Sequence, residues 1–353
     1  MRTIRKPGSK ILIGLALTVV CVAFGIQLLP QERPEGRERA LAPVWPSPPN
    51  PATIRFLTSL PRTDQPSNRK SFFQRLGKSL FPQAEEGLIR PLGLVASEGT
   101  LYVADPGGHA LLIFDADQKS VQKITKADNE LLNSPVGVAV GKDRVFVSDS
   151  SLKRIFVYDR RGRFLKTFAD QQLERPTGLA LDEKTRKLYV TDTAAHRVLV
   201  YGDDGKLQKS FGQRGTANGE FNFPTNLWLD SEGSLLVVDS LNYRIQIFRL
   251  DGTFVNEFGR QGDTAGTFAS PKGIAADIHG HIYVVDALFD TVQIFNRQGQ
   301  LLLNFGERGI GPGQFWLPAG IFIDDKDRIY VADSYNQRIQ VFEFLGGPDH
   351  GVY

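Results

Sequence analysis

One strand phrase occurs six times in this chain: YVADPGGHALLIFD from Tyr102, FVSDSSLKRIFVYD from Phe146, YVTDTAAHRVLVYG from Tyr189, LVVDSLNYRIQIFR from Leu236, YVVDALFDTVQIFN from Tyr283 and YVADSYNQRIQVFE from Tyr330. Each copy closes its first strand on an aspartate, Asp105, Asp149, Asp192, Asp239, Asp286 or Asp333, at spacings of 44, 43, 47, 47 and 47 residues. A period in the forties, built of short apolar strands and Gly-rich turns, is the signature of propeller blades. Each blade is a four-stranded sheet that buries its faces only against its neighbours. The expected fold is therefore all-β, a six-bladed β-propeller of four-stranded antiparallel blades.

The order within a repeat is constant. An inner strand such as Thr177–Asp182 leads to the strand ending on the aspartate, then to a third strand such as Arg197–Gly202 and an outer strand such as Leu207–Gly212. The sixth repeat stops after its third strand, near Phe344, while Thr53–Leu60 stands alone upstream of the first blade. This N-terminal strand is expected to close the last blade and remove the open edge. Pro-x-Gly precedes most inner strands, at Pro91/Gly93, Pro135/Gly137, Pro176/Gly178, Pro271/Gly273 and Pro318/Gly320; glycine there lets the strands converge on a narrow axis. Blade four departs with Asn226 in place of glycine, and Trp228 follows where it is expected to fill part of the channel.

The N-terminus has a different physics. Ile11–Leu29 is a charge-free apolar run of 19 residues, about 28 Å long as a helix and enough to cross a bilayer. Residues 1–10 carry Arg2, Arg5, Lys6 and Lys10 and no acid, which places them in the cytoplasm as a basic segment. The reading is a transmembrane helix at 11–29 acting as a signal anchor, a Pro-rich tether at 30–52, the propeller at 53–346 and a tail at 347–353, with the propeller outside the cytoplasm. A cleaved signal peptide ending near Ala40-Leu41-Ala42 competes with the anchor, as does lipoprotein processing at Cys21. Arg69–Phe81 spaces its apolar residues as an amphipathic helix inserted between the closing strand and blade one.

Cys21 is the single cysteine, so the folded part has no disulfide and no thiolate metal site. The formal charge of +3 comes from the first forty residues. Beyond them 35 basic residues meet 36 acidic ones, a balance of −1 that argues against a nucleic-acid surface.

The Pro-x-Gly signals, the Tyr/Phe-Val-x-Asp strands, the Asn-x-Arg-Ile-Gln-x-Phe strands at Asn242–Phe248 and Asn336–Phe342 and the Asp251-Gly252 turn together resemble the NHL-repeat propellers. With the anchor and the Trp45-Pro46-Ser47-Pro48-Pro49 tether, the chain is similar to bacterial membrane-anchored cell-envelope proteins of that kind. The resemblance implies the fold. It leaves activity open, because NHL propellers serve as binding, sensor and lyase domains.

Irregular sequence gathers on the face that carries the loops between second and third strands and the blade-to-blade connections. Three connections share FGxxGxxxGxFxxP, at Phe211–Pro224, Phe258–Pro271 and Phe305–Pro318. The recurrent Phe221, Phe268 and Phe315 read as packing, whereas Tyr243, Phe289, Tyr335 and Trp316, with Arg244 and Arg338, are the candidate binding residues. The six aspartates form a candidate ring at the channel mouth, more consistent with turn-capping than with cation binding. His279 and His281 occupy an ordinary turn and lack a third strong ligand, so neither a metal nor a cofactor is expected. The expected function is a membrane-tethered scaffold that binds a protein partner or ligand in the cell envelope, and no enzyme. The alternative is a lactonase- or lyase-type propeller enzyme with a divalent cation in its channel.

Overall fold

The computed structural model describes residues 42–47, 50–60, 87–168 and 172–346. The basic segment 1–10, the run Ile11–Leu29, the stretch Arg69–Phe81 expected to form an amphipathic helix and the tail at 347–353 lie outside the described residues. Among the described residues no helix is long and apolar enough to cross a membrane.

The described chain forms six antiparallel sheets in a closed ring. Blade one runs Leu94–Ser97, Thr100–Asp105, Ala110–Asp115 and Ser120–Ile124 from the axis outward, and blades two to five repeat that order. Blade six takes Ile321–Ile323, Arg328–Asp333 and Arg338–Phe344 from the C-terminus and Ile54–Leu60 from the N-terminus. The joining strand lies antiparallel to Arg338–Phe344, with Phe56 opposite Phe342 and Leu60 opposite Ile339. It also carries the register shift found at the outer strands of blades two to five. The N-terminal segment therefore behaves as a true fourth strand.

Blades stack face to face, so their middle strands are apolar on both sides. All but the first residue of Thr100–Asp105 is buried, as is all of Thr291–Phe295. Six apolar clusters fill the six interfaces. One joins Val103 and Leu112 of blade one to Ile339 and Val341 of blade six, which is where the ring closes. Burial of this kind contributes roughly 25 cal/mol per Å², and here it depends on the two chain ends meeting.

Glycine sets the spacing at the axis. A Cβ on Gly137 would stand 2.0 Å from the Thr177 carbonyl oxygen, and one on Gly320 would stand 2.0 Å from that of Leu92. Neighbouring inner strands touch backbone to backbone at this level. Trp228 of blade four packs against Phe322 of blade six, ring centroids 5.4 Å apart, as a partial filling of the channel.

One part of the stretch read as a tether is built into the fold. Val44–Trp45 adds a fifth strand to blade six, pairing with Ile54 and Arg55. The Trp45 ring lies 5.7 Å from Phe305 and 5.8 Å from Phe342. A Cβ at Gly313 would strike this indole at 2.3 Å, so the glycine-rich connection leaves the space that the tryptophan fills. Burial of a large aromatic outweighs the extended preference of the surrounding prolines.

Candidate functional site

The six aspartates have no exposed surface, and each accepts hydrogen bonds in its own blade. Asp105 takes the backbone N–H groups of Ile89, Arg90 and Gly108, and Asp286 those of Ala269, Ser270, Leu288 and Phe289. Five of the carboxylates thereby tie the incoming connection to the turn after the second strand, and Asp192 ties it to Arg197 of the third strand instead. Burial pushes the Asp286 carboxyl up, against the pull of those four N–H groups. The ring stands behind the channel mouth as a set of latches.

Arg244 and Arg338 belong to the same latches. Arg244 Nε donates to Asp239 at 2.8 Å while its guanidinium nitrogens reach the carbonyls of Ala217 and Glu220 and the Glu257 carboxylate. Arg338 meets Asp333 at 2.7 Å and the carbonyls of Ile310, Gly311 and Gln314. Gln246 and Gln340 complete the clamp by donating to Glu220 and Gln314 and accepting from Gly219 and Gly313. The Asn-x-Arg-x-Gln pattern is thus a device for folding the glycine-rich connections, and Arg244 and Arg338 are not free to bind a ligand. Arg197 likewise meets Asp192, but Arg154 turns away from Asp149 to Glu130.

The aromatic candidates divide. Tyr243 sits at φ 55° and packs against the core between blades four and five, and Phe289, half-buried, replaces the asparagine of the neighbouring latches. Phe221, Phe268 and Phe315 are fully buried. Trp316 and Tyr335 remain at the surface, 42% and 46% exposed, with ring centroids 5.6 Å apart. Leu288 of blade five, 63% exposed, lies on the same face.

The structure adds a feature that, of the six candidate binding residues, only Tyr335 lines. The central channel encloses a cavity of about 680 Å³. Its far half is apolar, with Val95, Val140, Leu181, Trp228, Leu229 and Phe322. The loop-bearing mouth is lined by Arg90, Arg175 and Lys272, by the serines Ser134 and Ser270, and by Leu288, Leu317 and Tyr335. Among the described residues no carboxylate and no histidine lines the cavity. Burial holds the Lys272 ammonium below the usual lysine range; the Asp286 carboxylate opposes that shift and the Arg175 guanidinium adds to it.

The positions that build the mouth were legible in principle. Arg90, Ser134, Arg175, Ser270 and Leu317 are the residues immediately before the proline of the inner strand, and Lys272 is the middle residue of its Pro-x-Gly. A periodic motif points to its own conserved spacing, whereas the variable residue beside it carries the chemistry.

Other titratable groups stay local. His281 Nδ1 meets Asp277 at 2.7 Å and His279 approaches Asp327 at 3.4 Å. His109 and His196 bind the backbone of adjacent connections, at Asn133 and Phe221, and do not meet. Among the described residues no group of three or more His, Cys, Asp or Glu side chains is placed to hold a metal ion.

A family model described as a 6-bladed beta-propeller matches residues 179–257 and 276–348. No curated protein matches the chain. Among solved structures, a protein of unknown function from Bacteroides thetaiotaomicron is 15% identical with a TM-score of 0.58, over 82% of this chain and 75% of its own. An auxiliary nutrient binding protein from the same organism is 14% identical with a TM-score of 0.58, over 74% and 70%. Virginiamycin B lyase from Staphylococcus aureus is 14% identical with a TM-score of 0.54, over 74% and 98%. At such identities a binding protein and a lyase share only a scaffold with this chain. The family match, the solved structures and the closed ring of sheets agree that the chain is a six-bladed β-propeller.

Proposed function

We propose that the protein is a non-catalytic binding scaffold of the cell envelope, an NHL-type propeller held by its N-terminal apolar run and recognising a ligand or protein partner with its loop-bearing face. The observation that carries this reading is the mouth of the channel, where a cavity of about 680 Å³ opens beside the exposed Leu288, Tyr335 and Trp316. Rigid loops with exposed aromatics around a concavity are the usual material of a binding site. The clamps at Arg244 and Arg338 hold these connections in place, so that the face is organised before a ligand arrives.

The enzyme alternative draws on acidic, Asn and His ligands for a channel cation. The lining offers Asn226, hydroxyl groups and three cationic side chains instead, a set that repels a divalent cation.

Two measurements test the reading. Protease added to intact spheroplasts digests the propeller if it lies outside the cytoplasm, and its survival there would remove the envelope assignment. A photo-crosslinking residue at Trp316 yields a discrete adduct in the native envelope, whereas one at the exposed Leu165 of an outer strand does not. Equal labelling at both positions would sink the proposed face.

A further inference from the structure

The three cations of the mouth come from alternate blades: Arg90 from blade one, Arg175 from blade three and Lys272 from blade five. In a six-bladed ring, alternate blades lie at three-fold spacing about the axis, so their charges converge on the channel from three sides. Among the described residues none of the three side chains has an ion pair or hydrogen bond of its own. This is unlike Arg197, Arg244 and Arg338, whose guanidinium groups are all engaged. Asp286 partly offsets the charge of Lys272, yet its oxygens are committed to four backbone N–H groups.

From this arrangement we infer that the channel mouth is a binding site for a small organic anion with two or more negative charges, headed by phosphate or carboxylate and bearing an apolar group. The head sits among Arg90, Arg175 and Lys272, where N–H donors are charged and, among the described residues, no carboxylate of the lining competes. Ser134 and Ser270 stand beside it as further donors. The apolar group lies against Leu288, Leu317 and Tyr335 on the blade-five and blade-six side of the mouth.

Half-burying a lysine beside an arginine is unfavourable without a counter-charge, and burial first, then Arg175, holds the Lys272 ammonium below the usual lysine range. An anion seated between the two relieves it. The inference deepens the scaffold reading, on which it rests, by naming the ligand class that the face takes.

The test is calorimetry on the full chain with inorganic phosphate, citrate and phenyl phosphate as probes. Phenyl phosphate and citrate bind, phenyl phosphate more tightly than phosphate, and all binding weakens as salt is raised. Arg175→Gln and Lys272→Gln each lower the affinity about tenfold or more, the scale of a lost charged hydrogen bond. Leu288→Ser weakens phenyl phosphate and leaves citrate unchanged. Thermal unfolding of each variant without probe checks that the ring is intact, as expected for side chains that make no ion pair or hydrogen bond among the described residues.

Absence of binding by all three probes, or equal binding by the wild type and the Arg175→Gln/Lys272→Gln double variant, overturns the inference. Those outcomes leave the photo-crosslinking result at Trp316 untouched, so an anion site that fails is told apart from a scaffold reading that fails.

Discussion

Arg244 and Asp239 face each other at the mouth of the blade-four hairpin, Nε to carboxylate oxygen at 2.8 Å, with both side chains almost wholly buried. The same guanidinium holds two carbonyls of the preceding connection, at Ala217 and Glu220, each at 2.9 Å. One ion pair therefore joins a blade to the loop that enters it.

Arg244→Met is expected to destabilise the propeller by about 3–5 kcal/mol, because it strands the Asp239 carboxylate in a buried site. Urea unfolding measures it. Arg154→Met, whose partner Glu130 is exposed, is expected to cost no more than about 1 kcal/mol.

Gly137→Ala places a methyl 2.0 Å from the Thr177 carbonyl oxygen at the axis. Backbone has to move to admit it, so a loss of about 1–3 kcal/mol or more is expected. The midpoint of thermal unfolding should fall, and an unchanged midpoint would show that the inner strands are not in contact.

Trp45→Ala removes a half-buried indole from Phe305 and Phe342. A full Trp to Ala deletion in a core costs about 3–5 kcal/mol, and half that is expected here. Limited proteolysis should then cut within residues 42–47 faster than in the wild type, since the fifth strand of blade six loses its anchor.

The His281–Asp277 pair makes stability depend on pH. The hydrogen bond to Asp277 raises the imidazole above its usual value of 6.5, against the effect of burial. A raised folded-state value favours the protonated histidine in the fold. The added stability is therefore complete below pH 6.5 and is lost as pH rises through the folded value. His281→Asn should lower the melting temperature more at about pH 5.5 than at about pH 8.5, with roughly 1 kcal/mol at stake. A larger difference at the alkaline end would reverse the assignment.

The ring was legible in the primary structure because a blade is a local object. Alternating apolar strands, a terminal aspartate and Pro-x-Gly repeat within fewer than fifty residues, and the missing outer strand of blade six pointed straight to Ile54–Leu60. The buried Phe221, Phe268 and Phe315 were identified as packing by their recurrence alone. Arg244 and Arg338 misled for the opposite reason: an arginine on a loop face reads as a recognition residue until its carbonyl partners, 24 to 28 residues away, are brought to it. Trp45 misled because its proline neighbours advertise an extended spacer while Phe305 and Phe342, far along the chain, supply the pocket it fills.

What the order of residues determined by itself was the blade, its count and its closure, since each depends on periodicity and on hydrogen bonds within one sheet. The tertiary structure alone decided which charges are spent and which remain available. Closing the ring sinks Arg244 and Arg338 into latches and turns Arg90, Arg175 and Lys272, from blades that do not touch in sequence, toward one cavity. Charge acts through space, so residues far apart along the chain acquire a common chemistry only when the fold sets them around one axis.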